Sequence, residues 1–135
     1  MAEARTLVEG GAEGEALVLD EPLSFWGGID PATGSVVDVH HPQHGASVAG
    51  RVLVMPSGRG SSSSSSVLAE AIRAGTAPAA IVLREPDPIV ALGAVVAREL
   101  YGTSVPVVVA DGPPLATGDR VRVVAAAGRA TLERL

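Results

Sequence analysis

The chain has 135 residues, 47% of them apolar and 19% charged, with a formal net charge of −5; this suits one domain with a packed core and argues against a disordered chain. It contains no cysteine, so disulfides and any iron–sulfur cluster ligated by its own thiolates are excluded. Its basic residues are scattered arginines, with no lysine, and its aromatics are Phe25, Trp26 and Tyr101 only. That leaves neither the basic stripe nor the stacking platform of a nucleic-acid binder.

No run approaches the ~18 consecutive apolar residues of a membrane helix, and the opening MAEARTLVEGG has no apolar signal core. A cytoplasmic protein without membrane partners is the expectation.

Residues 4–9 and 15–20 read as two short strands, with Gly10 to Gly14 as the hairpin turn between them. Residues 21–34 (EPLSFWGGIDPATG) are an irregular loop, Ser35 to Val39 a strand, and His40 to Gly50 a second loop interrupted by Pro42. Arg51 to Met55 is a short apolar run of the kind a buried strand shows. After PSGRGSSSSSS, the apolar Val67, Leu68, Ala71 and Ile72 recur at helical spacing, and Gly75 is placed to cap that helix. Ala79 to Leu83 is the next buried strand. Pro88 to Leu100 is a helix with Asp87 as N-cap, Val105 to Ala110 a third buried strand, and 120–126 with 129–134 a closing hairpin around Gly128.

Strand, helix, strand, helix, strand in this order makes two βαβ units with parallel strands. The expectation is a single α/β domain over residues 1–135 with a mixed sheet.

The segment from Pro56 to Ser62 carries the chemistry. It lies where a buried strand ends and a helix begins, the place where ligands gather in α/β folds. A helix start favours anions, Gly58 and Gly60 allow close backbone approach, and Arg59 offers a planar cationic fork for a carboxylate or phosphate. The same surroundings could support a serine as a base, and Ser61, directly after Gly60, would stand at the helix cap. Plainer readings compete. Ser61 could be an N-cap only, and the serine run could be a linker. A nucleotide phosphate loop does not fit, since the Walker lysine is missing and Ser63 stands at the third glycine of a dinucleotide loop.

The segments EPLSFWGGIDPATG, HPQHG, VLVMPSGRGSSSSSSVLAEAIRAGTAPAAIVL and EPDPIVALGAVVARELYG, spanning about Leu17 to Val109, resemble the small subunit, or swivel domain, of aconitase X. The resemblance implies the aconitase-like swivelling β/β/α fold. It also implies that the first serine of Gly60-Ser61-Ser62 is the catalytic base, Ser61, with Arg59, Gly60 and Ser62 contacting substrate. Ordinary aconitases follow those serines with Arg-Glu; here Ser63 and Ser64 stand instead, so anion binding must differ.

A larger partner chain carrying an iron–sulfur cluster is implied too, this chain binding none and being active only with that subunit. The reaction implied is dehydration of a small carboxylate or phosphate compound: cis-3-hydroxy-L-proline to a pyrroline carboxylate, or alternatively 5-phosphomevalonate to its anhydro product in isoprenoid synthesis. The Ala-rich, Lys-free composition, of a kind GC-rich bacterial genomes encode, tilts toward the first. A non-catalytic anion-binding module around Arg59 is the remaining alternative.

Gly27 and Gly28, beside Phe25 and Trp26, suggest a tight backbone path near substrate or partner and join the candidate contacts. His40, His41 and His44 read as a loop or interface feature, because Pro42 breaks the helical spacing that would align two of them as metal ligands. No metal site is expected in this chain. Asp87 reads as a cap, and Glu85 is an open candidate for acid or base.

Overall fold

The computed structural model describes residues 2–59, 62–111 and 115–135. In chain order the elements are β1 (Ala2–Val8), β2 (Gly10–Val18), a short distorted helical turn α1 (Phe25–Gly28), β3 (Val52–Met55), α2 (Ser63–Ala74), β4 (Ala80–Leu83), α3 (Pro88–Tyr101), β5 (Val107–Val109), β6 (Arg120–Ala126) and β7 (Arg129–Arg134).

The seven strands close into a barrel in the order β1-β5-β4-β3-β2-β6-β7. Pairs β2–β3, β3–β4 and β4–β5 are parallel, and the pairs involving β1, β6 and β7 are antiparallel. The sheet is therefore mixed, as expected, but the architecture built from two βαβ units is corrected to a closed barrel. Helices α2 and α3 still cross between neighbouring parallel strands.

Closure follows from β1 and β2 each serving two ladders. Ala2 to Ala4 of β1 pair with β7, and Arg5 to Val8 pair with β5. Gly10 to Glu15 of β2 pair with β6, and Ala16 to Val18 pair with β3.

The expected hairpin between these first two strands is overturned, since β1 and β2 are not neighbours and Gly10 to Gly14 lie within β2. The glycines serve a close crossing instead: a Cβ on Gly14 would stand 2.8 Å from Gly50 O. The expected strand over Ser35 to Val39 reduces to two isolated bridges, Ile29 with Val36 and Ser35 with Ser47. There the backbone bonds neighbouring loops and the end of α1, as when Val36 N–H donates to Ala46 O at 2.8 Å and Val37 N–H to Gly28 O at 2.9 Å.

Strands β3 and β4 are buried on both faces, which explains their unbroken apolar runs. Alternate residues serve different cores. Leu53, Met55, Ile81, Leu83 and Val107 pack under the helices with Leu68, Ile72, Val90 and Ala94. Val52, Val54, Ala80, Val82 and Val108 fill the barrel with Val121, Val123, Ala125, Ala130 and Leu132. The barrel filling is almost wholly Ala and Val, because few strands enclose little space.

Helix α2 ends at Gly75 as the sequence indicates, and α3 runs one residue beyond the expected Leu100, to Tyr101, and ends at Gly102. Gly75 takes φ +79° and donates to Ala71 O and Ile72 O, and Gly102 takes φ +71° and donates to Arg98 O. The start of α3 also agrees, with Asp87 accepting from Ile89 N and Val90 N. The cap of α2 is corrected by one residue: Ser62 occupies the N-cap position and the helix begins at Ser63. Among the described residues no helix is long and apolar enough to cross a membrane.

A close-packed barrel resists enlargement. Ala130 is 1% exposed, so Ala130→Leu should destabilise the fold by about 1–3 kcal/mol in chemical denaturation. Ala126→Leu, on the exposed side of β6, should stay within about 0.5 kcal/mol. Equal effects at the two positions would show that the interior has room to spare.

Candidate functional site

The parallel strands β3 and β4 deliver two loops to one end of the barrel, and the helix starts that follow them converge there. Pro56 O accepts from Arg84 N and Glu85 N, both at 3.2 Å, which joins the two loops. Ser65 Oγ, in the first turn of α2, donates to Ile89 O in the first turn of α3 at 2.7 Å. A Cβ on Gly93 would stand 2.9 Å from Ser65 O, so glycine there lets the helices touch backbone to side chain.

Gly58 has a similar reason. An added Cβ would fall on Asp87 Oδ2 and Val90 Cγ2, so only glycine lets the loop after β3 lie against the start of α3. The backbone then continues through a parallel bridge between Leu23 and Gly58 and a bond from Arg59 N to Leu23 O at 3.3 Å. These contacts bring the loop around α1 to the same end.

That loop is locked onto α2 by a chain of hydrogen bonds. Ser24 Oγ donates to Trp26 O at 2.9 Å. Its one proton is thereby used, so Ser64 Oγ donates to Ser24 Oγ across 3.1 Å. Ser64 Oγ in turn accepts from Trp26 N at 3.3 Å. Ser64 is only 3% exposed, whereas Trp26, whose backbone it fixes, is 62% exposed. A half-buried serine pair thus fixes the backbone of a residue whose indole faces outward beside the helix start.

The sequence candidates fall out as follows. Arg59 is on this face, its Nη2 4.0 Å from Glu21 Oε1. Ser62 is exposed at the N-cap of α2 and makes no side-chain capping bond, so the partial positive charge of the helix start stays directed at the loop. Gly60 and Ser61 lie outside the described residues.

Gly27 takes φ +78°, with nothing within 4 Å of an added Cβ, and Gly28 is buried, its added Cβ 3.0 Å from Leu23 Cδ1. A tight turn and close packing account for the two glycines. Glu85 is exposed, with its backbone on Pro56, and Asp87 Oδ1 accepts its two capping bonds at 2.9 and 3.2 Å.

The histidines separate in role. His40 and His44 are exposed, while His41 is 5% exposed and bonds Glu21 O and Gln43 N. Reasoning from the sequence missed Ser24, Ser64 and Glu21, because the bonds that single them out join residues far apart in the chain.

The face encloses little. A cavity of about 30 Å³ lies among Leu23, Phe25, Gly58, Arg59, Ser64, Asp87, Ile89 and Val90, room for a water or two and far below the several hundred Å³ of a small-molecule site. A wider groove of about 480 Å³ between Glu3, Arg5, Asp111 and Arg129 is bordered by none of the candidates. Among the described residues no three His, Asp or Glu side chains gather as a metal would need.

Comparison with known proteins adds the following. The family described as the aconitase X swivel domain matches residues 1–132. A cis-3-hydroxy-L-proline dehydratase of Pseudomonas aeruginosa is 58% identical over 103 residues, which are 76% of this chain and 18% of that protein. The chain thus corresponds to under a fifth of that relative. A phosphomevalonate dehydratase small subunit of Thermococcus onnurineus is 42% identical over 132 residues, 97% of each. The crystal structure of Thermococcus kodakaraensis aconitase X in its holo-form superposes with a TM-score of 0.86 at 39% identity, covering 99% of this chain and 100% of that one.

The serine pair makes a measurable claim. Ser64→Ala leaves the Trp26 N–H without its acceptor and should cost about 1–3 kcal/mol of stability. Because Trp26 is the sole tryptophan, its fluorescence should also become easier to quench. Ser66→Ala, at an exposed position, should change neither; if Ser64→Ala behaves like Ser66→Ala, the pair does not hold the loop.

Proposed function

The chain belongs to the aconitase X swivel domain family, and from that premise we propose that residues 1–135 act as one swivel domain supplying the proton-accepting face of a hydro-lyase. The substrate on this reading is cis-3-hydroxy-L-proline, dehydrated to a pyrroline carboxylate, and the reaction needs a larger cytoplasmic partner. The observation that carries it is the open face: Arg59 and Ser62 stand beside the start of α2, and the cavity among the described residues there is about 30 Å³, which supports enclosure of substrate with a partner. The 58% identity to the Pseudomonas aeruginosa dehydratase supports the hydroxyproline assignment.

An iron–sulfur cluster does not fit this chain's residues, which include no cysteine and, among those described, no metal-sized group of His, Asp and Glu. The cluster is assigned to the partner, and this chain's share is proton transfer and anion binding. Ser61 immediately precedes the N-cap residue Ser62. The helix start favours the alkoxide form of a serine; that oxygen takes the substrate proton and becomes the neutral hydroxyl, which is general-base catalysis. Arg59 takes the substrate carboxylate, its planar fork matching two oxygens; Ser62, exposed at the start of α2, and Gly60, which follows Arg59 in the sequence, are assigned to substrate contact with it.

A second reading keeps the face and changes the substrate to 5-phosphomevalonate. It is favoured by the end-to-end match to the Thermococcus onnurineus small subunit, 97% of each chain.

The test is the chain assembled with its large partner. Ser61→Ala should lower kcat by about 10²–10⁴-fold, the contribution of a placed general base, with assembly and melting temperature little changed. Arg59→Lys should raise KM for the carboxylate substrate while leaving kcat close to normal. Near-normal turnover by the assembled Ser61→Ala variant would put the base elsewhere, with Glu85 next in line.

A further inference from the structure

We propose that Glu21 and Arg59 act as a charge-reading pair, Glu21 taking the ring ammonium of a zwitterionic cyclic amino acid while Arg59 takes its carboxylate; this deepens the function proposed above and rests on it.

The two side chains stand on loops fixed to each other by the Leu23–Gly58 bridge and the Arg59 N to Leu23 O bond. Their charged atoms approach to 4.0 Å, beyond hydrogen-bonding distance. The side chains are 56% and 50% exposed, so the pair adds little to stability and water or a ligand can reach both groups. An α-amino acid carries its two charges on groups bonded to one carbon. A site that reads both therefore needs opposite charges as closely spaced as these.

Glu21 is placed from beneath. Gln43 N–H donates to His41 Nδ1 at 3.0 Å, so the imidazole proton sits on Nε2, which donates to Glu21 O at 3.2 Å. Gln43 Nε2 also donates to Asp20 Oδ2 at 3.0 Å. A buried ring and a neighbouring amide thus hold the backbone on which this exposed carboxylate sits.

The local charge count then selects among substrates. Among the described residues Arg59 and Glu21 are the charged pair of the face; Asp87 Oδ1 is engaged in capping α3, and Glu85 on the adjoining loop adds a further negative charge. A cyclic amino acid meets one opposite charge for each of its own. A phosphorylated hydroxy acid brings about three negative charges to one guanidinium and is repelled by Glu21, and such like-charge juxtaposition is a strong device against the wrong ligand.

The assembled enzyme tests this. Glu21→Gln should raise KM for cis-3-hydroxy-L-proline about tenfold, the loss of one charge-assisted hydrogen bond, with kcat within about twofold and partial recovery in Glu21→Asp. Two unreactive ligands separate charge reading from a structural effect: L-proline, and tetrahydrofuran-2-carboxylate, which has oxygen in place of the ring ammonium. The wild type should bind L-proline about tenfold more tightly, and Glu21→Gln should bring the ratio near one. An unchanged ratio overturns the assignment even if KM rises, because a displaced loop would weaken both ligands alike. Failure of the wild-type complex to turn over cis-3-hydroxy-L-proline would instead sink the function proposed above.

Discussion

The structure depends on one arrangement: β1 and β2 each belong to two ladders at once. A strand that leaves one sheet and enters another joins an antiparallel half to a parallel half without a free edge, and free edges are what isolated sheets must otherwise protect. The closed barrel leaves its parallel half with one face inward and one under α2 and α3. Everything at the functional end follows from that, since the helices can lie only on the outer face and their N-termini must rise at the C-terminal ends of β3 and β4.

Small residues then set how tightly the helix starts gather. Gly93 admits Ser65 and Leu68, Gly58 admits Asp87 and Val90, and Ser65 bonds Ile89 across the seam. The Ser24–Ser64 pair adds the loop with Trp26 to the same rim. The product is a shallow face with a cation, a carboxylate and a helix start, whose cavity among the described residues is about 30 Å³.

Much of this was legible in the residues. Apolar runs at Arg51 to Met55 and Ala79 to Leu83 marked buried strands, and Asp87-Pro88 and Gly75 marked helix ends because their chemistry is local. Barrel closure was not legible, because it depends on which distant strands Ala2–Val8 and Gly10–Val18 choose, and periodicity within a strand does not encode its partner. The glycines of β2 misled for a related reason: glycine permits a turn and a close crossing equally, and only the position of Gly50 decides between them. At the functional end, the loop after β3 was readable from Pro56 to Ser62, whereas Ser24, Ser64, His41 and Glu21 matter through contacts between residues some 20 to 40 positions apart.

The barrel's pairing pattern also fixes an order of events. Ala2 to Ala4 pair with Ala130 to Leu132, and Gly10 to Glu15 with Arg120 to Ala125, so more than half of the partners of the first two strands lie in β6 and β7. The parallel half with its two helices, and the β6–β7 hairpin, can each form from neighbouring segments. Joining them requires a loop that spans nearly the whole chain, and contacts at such separation slow folding. Until β6 and β7 have been made, β1 and β2 present unpaired edges, and a ribosome-bound chain is exposed to association over all of that interval.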